Sequence, residues 1–273
     1  MPGMPRKRKT VALFIVFLFA ATVSMTVSIS AMFMGMDVGA DFYQNLKFSL
    51  AYGFGSAFVG LLLSKYLVLL SLHVKPGELR KLDASKPESN GKFSLAVSTV
   101  VELARQNGTA VPEMVVYADE SPNAFATGAS AGSALIGFSS SLEEVMNERE
   151  MAAVAAHEMG HVTSGDMVSM TLVSAVYTAF VTFLSNIVGS TVRSRFGETA
   201  AFFSMIFFNV LIGLLALPAI AYLSRKREYA ADAWAGENFS ATDMKSALLK
   251  LKKASEERGR LKTGNAIPVQ AAL

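Results

Sequence analysis

The sequence predicts an α+β fold that is mainly α, with four transmembrane helices carrying a small cytoplasmic domain built around a short sheet. Three observations predict it. Four apolar stretches almost free of charge divide the 273 residues, basic residues gather on one side of them, and the polar segment in the middle mixes helical with strand patterning. Composition agrees: 52% of residues are hydrophobic and 17% charged, against about a quarter charged in a soluble domain. A net charge of +3 is too small to argue for nucleic acid, and no Lys/Arg stripe alternates with aromatics. With no cysteine, disulfides and thiolate chemistry are excluded. Any metal must be held by carboxylates and by the three histidines, His73, His157 and His161.

The first apolar stretch runs from about Val11 to Met36 behind Arg6, Lys7, Arg8 and Lys9. It is longer than the ~7–15 residues of a signal-peptide core and lacks an A-x-A site, so it reads as a retained span. The second, about Phe48 to Leu72, has Lys65 as its only charge, within snorkelling distance of its end. The third, Met167 to Val188, and the fourth, Ala201 to Leu223, have no charge and show no polar face. Each is near the ~20 residues that cross a hydrocarbon core as helix.

Orientation follows from the flanks. Ten basic residues (Arg6, Lys7, Arg8, Lys9, Lys75, Arg80, Lys81, Arg225, Lys226, Arg227) lie on one side, and three (Lys47, Arg193, Arg195) on the other. Basic flanks stay cytoplasmic. Both termini and the polar segment Lys75 to Asp166 are therefore expected in the cytoplasm. The chain divides into residues 1–74 with two N-terminal spans, 75–166, a membrane hairpin 167–223, and 224–273 with a charged tail.

Within the polar segment, Ser94 to Gln106 reads as a helix with Val97, Val100, Val101 and Ala104 on one face, stopped by Asn107-Gly108. Met114 to Tyr117 and Ser133 to Phe138 are short β-type runs, joined through Asn123-Ala124-Phe125-Ala126. A second helix covers about Arg149 to Ser164. The tail after Leu251 reads as a solvated helix followed by coil.

That second helix contains His157-Glu158-Met159-Gly160-His161. Residues four apart share a helical face, so both imidazoles can reach one ion. Glu158, one position round, can reach a water on that ion without occupying it, and can act as general base for hydrolysis of a peptide. The preceding turn, Ala152-Ala153-Val154-Ala155-Ala156, is trimmed to small side chains, which lets a rigid metal platform pack closely. A catalytic zinc needs a third protein ligand and one open position. His73 lies at the end of a span and reads as interfacial. The third and fourth stretches run out and back by about equal lengths, so the chain returns to its point of departure at Glu228, the first carboxylate after the hairpin. Asp232 follows on the same helical face, and Ala230 and Ala231 leave room for approach. Pairing of Glu228 with Arg225 or Arg227 at the membrane surface is the competing reading.

In combination these segments carry a resemblance. Ser121-Pro122-Asn123-Ala124-Phe125-Ala126-Thr127-Gly128, Ala156-His157-Glu158-Met159-Gly160-His161, Gly165-Asp166-Met167 and Ser224-Arg225-Lys226-Arg227-Glu228-Tyr229-Ala230-Ala231-Asp232 resemble the HtpX family of membrane proteases, of gluzincin type. The resemblance covers about residues 5 to 272. It implies a zincin-type catalytic domain and one Zn2+ per chain held by His157, His161 and Glu228. Glu158 would be the base, and Asp232 would hold a ligand imidazole. Asn123 and Ala124 would lie on the edge strand along which substrate backbone pairs; by residue type alone Asn123 is a turn residue after Pro122.

The function expected is that of a zinc metalloendopeptidase in a prokaryotic plasma (inner) membrane. Its expected role is in stress response and quality control, cutting cytoplasmic regions of misfolded membrane proteins. No G-x-x-x-x-G-K is present, so no ATP site is seen. CAAX-like processing of lipidated peptides is the alternative activity, and a membrane scaffold or transporter the alternative class. A transporter should carry ionisable groups inside its spans, where only Lys65 stands. The resemblance further leads one to expect a Thr/Ser-His-Pro element with a following Arg; nothing like it follows Leu251. The expectation is therefore either a truncated form of a longer chain or a shorter, weaker relative, in both cases folded and metal-loaded but slow.

Overall fold

The computed structural model describes residues 42–72 and 79–264. The first expected span with its basic flank, His73, Lys75 and the end of the tail lie outside the described residues. The described residues separate into two units, one containing 65–72, 79–166 and 227–264, the other containing 42–64 and 167–226.

In the second unit, helix α1 (Phe42–Ser71) begins six residues before the predicted Phe48. Its Phe54, Phe58, Leu62 and Tyr66 are exposed, as lipid-facing side chains are. The third and fourth stretches both lie in α5 (Asp166–Ala235), two helices that meet at a kink at Gly197, whose φ of 84° and ψ of 179° leave the helical region and reverse the chain. Residues flanking the break are ordinary helix formers, and Arg193 pairs with Glu198 at 3.1 Å across it. The two arms, 166–196 and 198–235, lie side by side. Asn209 Nδ2 donates to Ser185 Oγ at 2.8 Å, and a Cβ on Gly189 would fall 2.7 Å from Met205 Sδ. Each of these pairs is equidistant in sequence from Gly197, so the arms form an antiparallel hairpin. Among the described residues, α1 and the run beginning at Asp166 are long and apolar enough to cross a membrane.

The hairpin does have a polar face, contrary to the sequence reading. Thr178, Thr182, Ser185 and Asn186 recur at helical spacing and are buried, as is Asn209. Hidden among Ala and Val, such small neutral groups leave hydropathy high. Asn45 of α1, fully buried, ties the seam together. Its Nδ2 donates to the Phe183 carbonyl at 3.0 Å, and its Oδ1 accepts from Ser49 Oγ at 3.2 Å and Asn186 Nδ2 at 3.0 Å. Hydrogen bonds of this kind hold spanning helices together at about 0.6 kcal/mol each.

The first unit contains a four-stranded sheet of order β1-β2-β4-β3: β1 (Arg80–Lys81), β2 (Glu113–Tyr117), β3 (Ala124–Thr127) and β4 (Leu135–Ser139). β2 and β4 are parallel, and the outer pairs antiparallel. Two strands occupy the β-type runs expected. The segment that residue patterning alone reads as a join is, from Ala124 on, the edge strand β3, in register Ala124↔Phe138 and Thr127↔Leu135. The resemblance placed Ala124 on such a strand, and Asn123 stands just before it. α2 (Ser94–Gln106) has the predicted bounds, although Val101 is only half-buried. After the short α3 (Leu142–Val145) comes α4 (Glu148–Thr163), wholly enclosed through its middle. α6 (Ala241–Gly264) begins ahead of the predicted tail and buries Met244, Ala247 and Leu251; beyond Leu251 its Lys252, Lys253, Glu256 and Glu257 are exposed, as expected of a solvated helix.

The α1 packing gives a first prediction. A Cβ on Gly53 would lie 2.6 Å from the Ala175 carbonyl oxygen and Ala179 N, whereas one on Gly60 would meet nothing within 4 Å. Gly53→Leu should therefore lower the thermal unfolding midpoint in detergent by an overpacking cost of ~1–3 kcal/mol, and Gly60→Leu should leave it unchanged. Equal midpoints for the two variants would contradict this packing.

Candidate metal centre

α4 begins with a reciprocal cap. The Asn147 side chain accepts from Glu150 N, and Glu150 Oε2 accepts from Asn147 N, each at 2.9 Å. The same carboxylate, 2% exposed, accepts from Ser246 Oγ and from Lys250 Nζ at 2.6 Å each, which pins α6 to the start of α4. Ala152, Ala153, Ala155 and Ala156 are fully buried, so neighbouring elements approach the α4 backbone closely. Ala231 is the small residue that lets the returning helix in; Ala230, expected to share that role, is exposed.

His157 and His161 face the same way, with their Nε2 atoms 3.2 Å apart. Glu228 comes to them from the returning arm, its Oε2 lying 3.9 Å from His157 Nε2 and its Oε1 4.0 Å from His161 Nε2. Donor atoms in a tetrahedral zinc site are ~3.3 Å apart, from bonds of about 2.0–2.1 Å. Side-chain rotations of a few tenths of an ångström would bring the three to that spacing. The opposite ring nitrogens face carboxylates. His157 Nδ1 is 2.8 Å from Asp232 Oδ1, and His161 Nδ1 is 2.6 Å from Asp166 Oδ2. A protonated Nδ1 facing a carboxylate leaves the Nε2 lone pair for a ligand, a tautomer assigned from these partners. The residues present thus fit a divalent ion that accepts nitrogen and oxygen donors.

Glu158 is 2% exposed beside this cluster. The Tyr117 hydroxyl is held well above its ordinary pKa by burial, with the Glu158 charge adding to the effect. Asn123 stands immediately before β3; its N donates to Ser139 Oγ at 2.8 Å and its Nδ2 to Tyr117 Oη at 3.3 Å. Ala124 is buried on the strand, and β3 packs along α4.

Sequence reasoning gave Asp166 no role. It sits in α5 directly after Gly165, whose φ of 66° turns the chain back under His161. Burial pushes the Asp166 carboxyl up, but contacts with His161 and Arg227 outweigh this and hold it at about 2. Arg227 Nε is 3.1 Å from Asp166 Oδ2, so this arginine pairs with Asp166. A carboxylate following a glycine one turn beyond the second histidine was the available signal.

Comparison with known proteins bears on this geometry. Residues 89–264 match peptidase family M48. A "Protease HtpX homolog" of Chlorobium phaeobacteroides is 36% identical over 236 residues, covering 81% of this chain and 78% of the relative. One of Neisseria meningitidis serogroup C is 36% identical over 244 residues, covering 87% and 85%. The crystal structure of S. mikatae Ste24p shares the fold, with a TM-score of 0.59 at 20% identity over 90% of this chain and 61% of that one. Fold, histidine pair and family together define a membrane metalloprotease, whose family implies a metal. More particularly, the chain belongs to the HtpX proteases of peptidase family M48.

The α4 cap yields a pH prediction. Burial raises the Glu150 carboxyl, but its bonds to Lys250, Ser246 and Asn147 prevail and lower it below the ordinary value. A group depressed by folding stabilises above its unfolded pKa, near 4.3 for Glu, and that contribution disappears as pH falls through the folded value. The unfolding midpoint of the parent should fall more steeply below about pH 4.3 than that of Glu150→Gln. Parallel curves would contradict the assignment.

Proposed function

We propose that this chain is a zinc-dependent endopeptidase of the prokaryotic inner membrane that cuts cytoplasmic regions of misfolded or damaged membrane proteins, as part of the stress response. The observation that carries the reading is the meeting of His157, His161 and Glu228 within 4.0 Å across an apolar excursion of the chain. A site tethered at both sides of a membrane hairpin is suited to polypeptides presented at the lipid surface. Four spans with both termini and the catalytic part in the cytoplasm complete the proposal, supported by the ten-to-three distribution of basic flanks.

His157, His161 and Glu228 would hold the ion, Asp232 would orient the His157 ring, and one position would stay open. When bound, zinc supplies Lewis acidity that brings the pKa of a water to about 7. The protein does the rest. The Glu158 carboxylate accepts the proton as the water oxygen bonds to the peptide carbonyl carbon, then delivers it to the departing nitrogen as the C–N bond breaks. Substrate would lie extended beside Asn123 and Ala124, adding a strand to β3, which has no partner strand on its outer side among the described residues. The fixed Asn123 backbone, bonded both ways to Ser139, gives that edge a set register.

Glu158→Gln tests the chemistry. The variant should bind zinc as the parent does and lose hydrolysis of an unfolded membrane-protein substrate in proteoliposomes by ~100–10,000-fold. A chelator should abolish parental activity, and added zinc should restore it. Retained turnover in Glu158→Gln would remove that residue from the mechanism.

A further inference from the structure

Three consecutive basic residues, Arg225, Lys226 and Arg227, follow the apolar hairpin, and their sequence suggests a single role at the membrane surface. The structure separates them. Arg225 and Lys226 are exposed, whereas the Arg227 side chain is 28% exposed and reaches Asp166, itself 14% exposed. Asp166 Oδ2 in turn lies 2.6 Å from His161 Nδ1. A continuous path thus runs from guanidinium to carboxylate to imidazole, ending at the ring whose Nε2 faces Glu228.

We propose that Arg227 is a positioning residue of the metal centre, acting through Asp166 to fix the His161 ring and to set the register of the neighbouring Glu228 against α4. The proposal rests on the reading of His157, His161 and Glu228 as ligands, and deepens it.

Glu228 is held between two such contacts. On its N-terminal side Arg227 reaches the second histidine through Asp166, and on its C-terminal side Asp232 reaches the first histidine directly at 2.8 Å. Little more than one helical turn therefore grips both histidines, with the third ligand in between. The need is physical: residues 167–226 separate this turn from α4, and a helix rotated by one residue carries a side chain ~100° round. A single contact would leave Glu228 free to swing about it, and a second removes that freedom. Partial burial makes the Arg227–Asp166 pair less screened than a surface pair, and Gly165 supplies the left-handed turn that holds Asp166 beneath His161. A surface anchor would not need its guanidinium turned inward, and its two neighbours show the outward orientation such an anchor takes.

The test uses the full chain in nanodiscs, loaded with zinc, and follows zinc release to a chromophoric chelator. The d–d absorption of the cobalt-substituted protein reports ligand geometry. Asp166→Ala should release zinc ~10–100-fold faster than the parent, as loss of a ligand-orienting partner does, and Arg227→Gln at least several-fold faster. Because both act on one ring, Asp166→Ala/Arg227→Gln should be no faster than Asp166→Ala alone. Arg227→Lys, which keeps the charge and guards against a folding defect, should fall between parent and Arg227→Gln with a shifted cobalt spectrum. Arg225→Gln should match the parent. Parental release rates in both Arg227 variants, or additive effects in the double variant, would overturn the proposal while leaving the ligand reading intact. A parent chain that takes up no zinc would overturn the ligand reading, and this proposal with it.

Discussion

The centre depends on one meeting of distant chain. α4 presents His157 and His161, the polypeptide then runs through residues 167–226 as an apolar hairpin, and Glu228 must come back to within 4.0 Å of both rings. The hairpin meets this demand by symmetry about Gly197: Ser185 faces Asn209, and Gly189 faces Met205, at equal sequence distances from the break. Arms of matched length bring the chain back level with its departure. A one-residue insertion in either arm would shift the returning turn by ~1.5 Å along its axis and ~100° round it. Tolerance for length change in 167–226 should accordingly be far lower than for an ordinary connection of that size.

Rigidity at the other side of the meeting comes from α4. Its first turn is closed by the Asn147–Glu150 cap, and the same Glu150 carboxylate reaches across to Ser246 and Lys250 of α6. Its middle is alanine, so its neighbours pack against backbone rather than against movable side chains. Imidazoles that project from such a helix lose little further freedom when a ligand arrives. Each is restrained again at Nδ1, one by Asp232 and the other by Asp166.

Much of this was legible in the sequence because the signals were periodic or paired. The apolar runs, the helix over 94–106 and the four-residue separation of His157 and His161 each repeat a geometric rule of the backbone. What escaped notice lacks that repetition. Strand β3, which the family resemblance implied but residue patterning did not show, is four residues long, flanked by turn formers, and becomes a strand only because β4 pairs with it. β1 has two residues and exists only through β2. The polar seam of Thr178, Thr182, Ser185 and Asn186 is periodic but weak in hydropathy, so a search for charge passes over it. Asp166 was visible as a residue but not as a partner, because its position depends on the φ of Gly165 rather than on helical spacing. Arg227 was placed at the right depth but without its partner Asp166, since sequence distance cannot say which carboxylate a returning helix will face.

The central claim is that ligands from both sides of the hairpin share one ion, and zinc content of a single variant tests it most directly. Glu228→Ala, purified in the membrane-inserted state and equilibrated with a buffered zinc series, should bind zinc far more weakly than the parent, which should hold about one ion per chain as a three-ligand site does. Without metal, circular dichroism and thermal midpoint should match the parent, because Glu228 is removed from the ligand set and not from a packed core, and added zinc should raise the midpoint of the parent alone. Zinc bound by Glu228→Ala at parental affinity would contradict the account, and would mean that the third donor lies elsewhere in the chain.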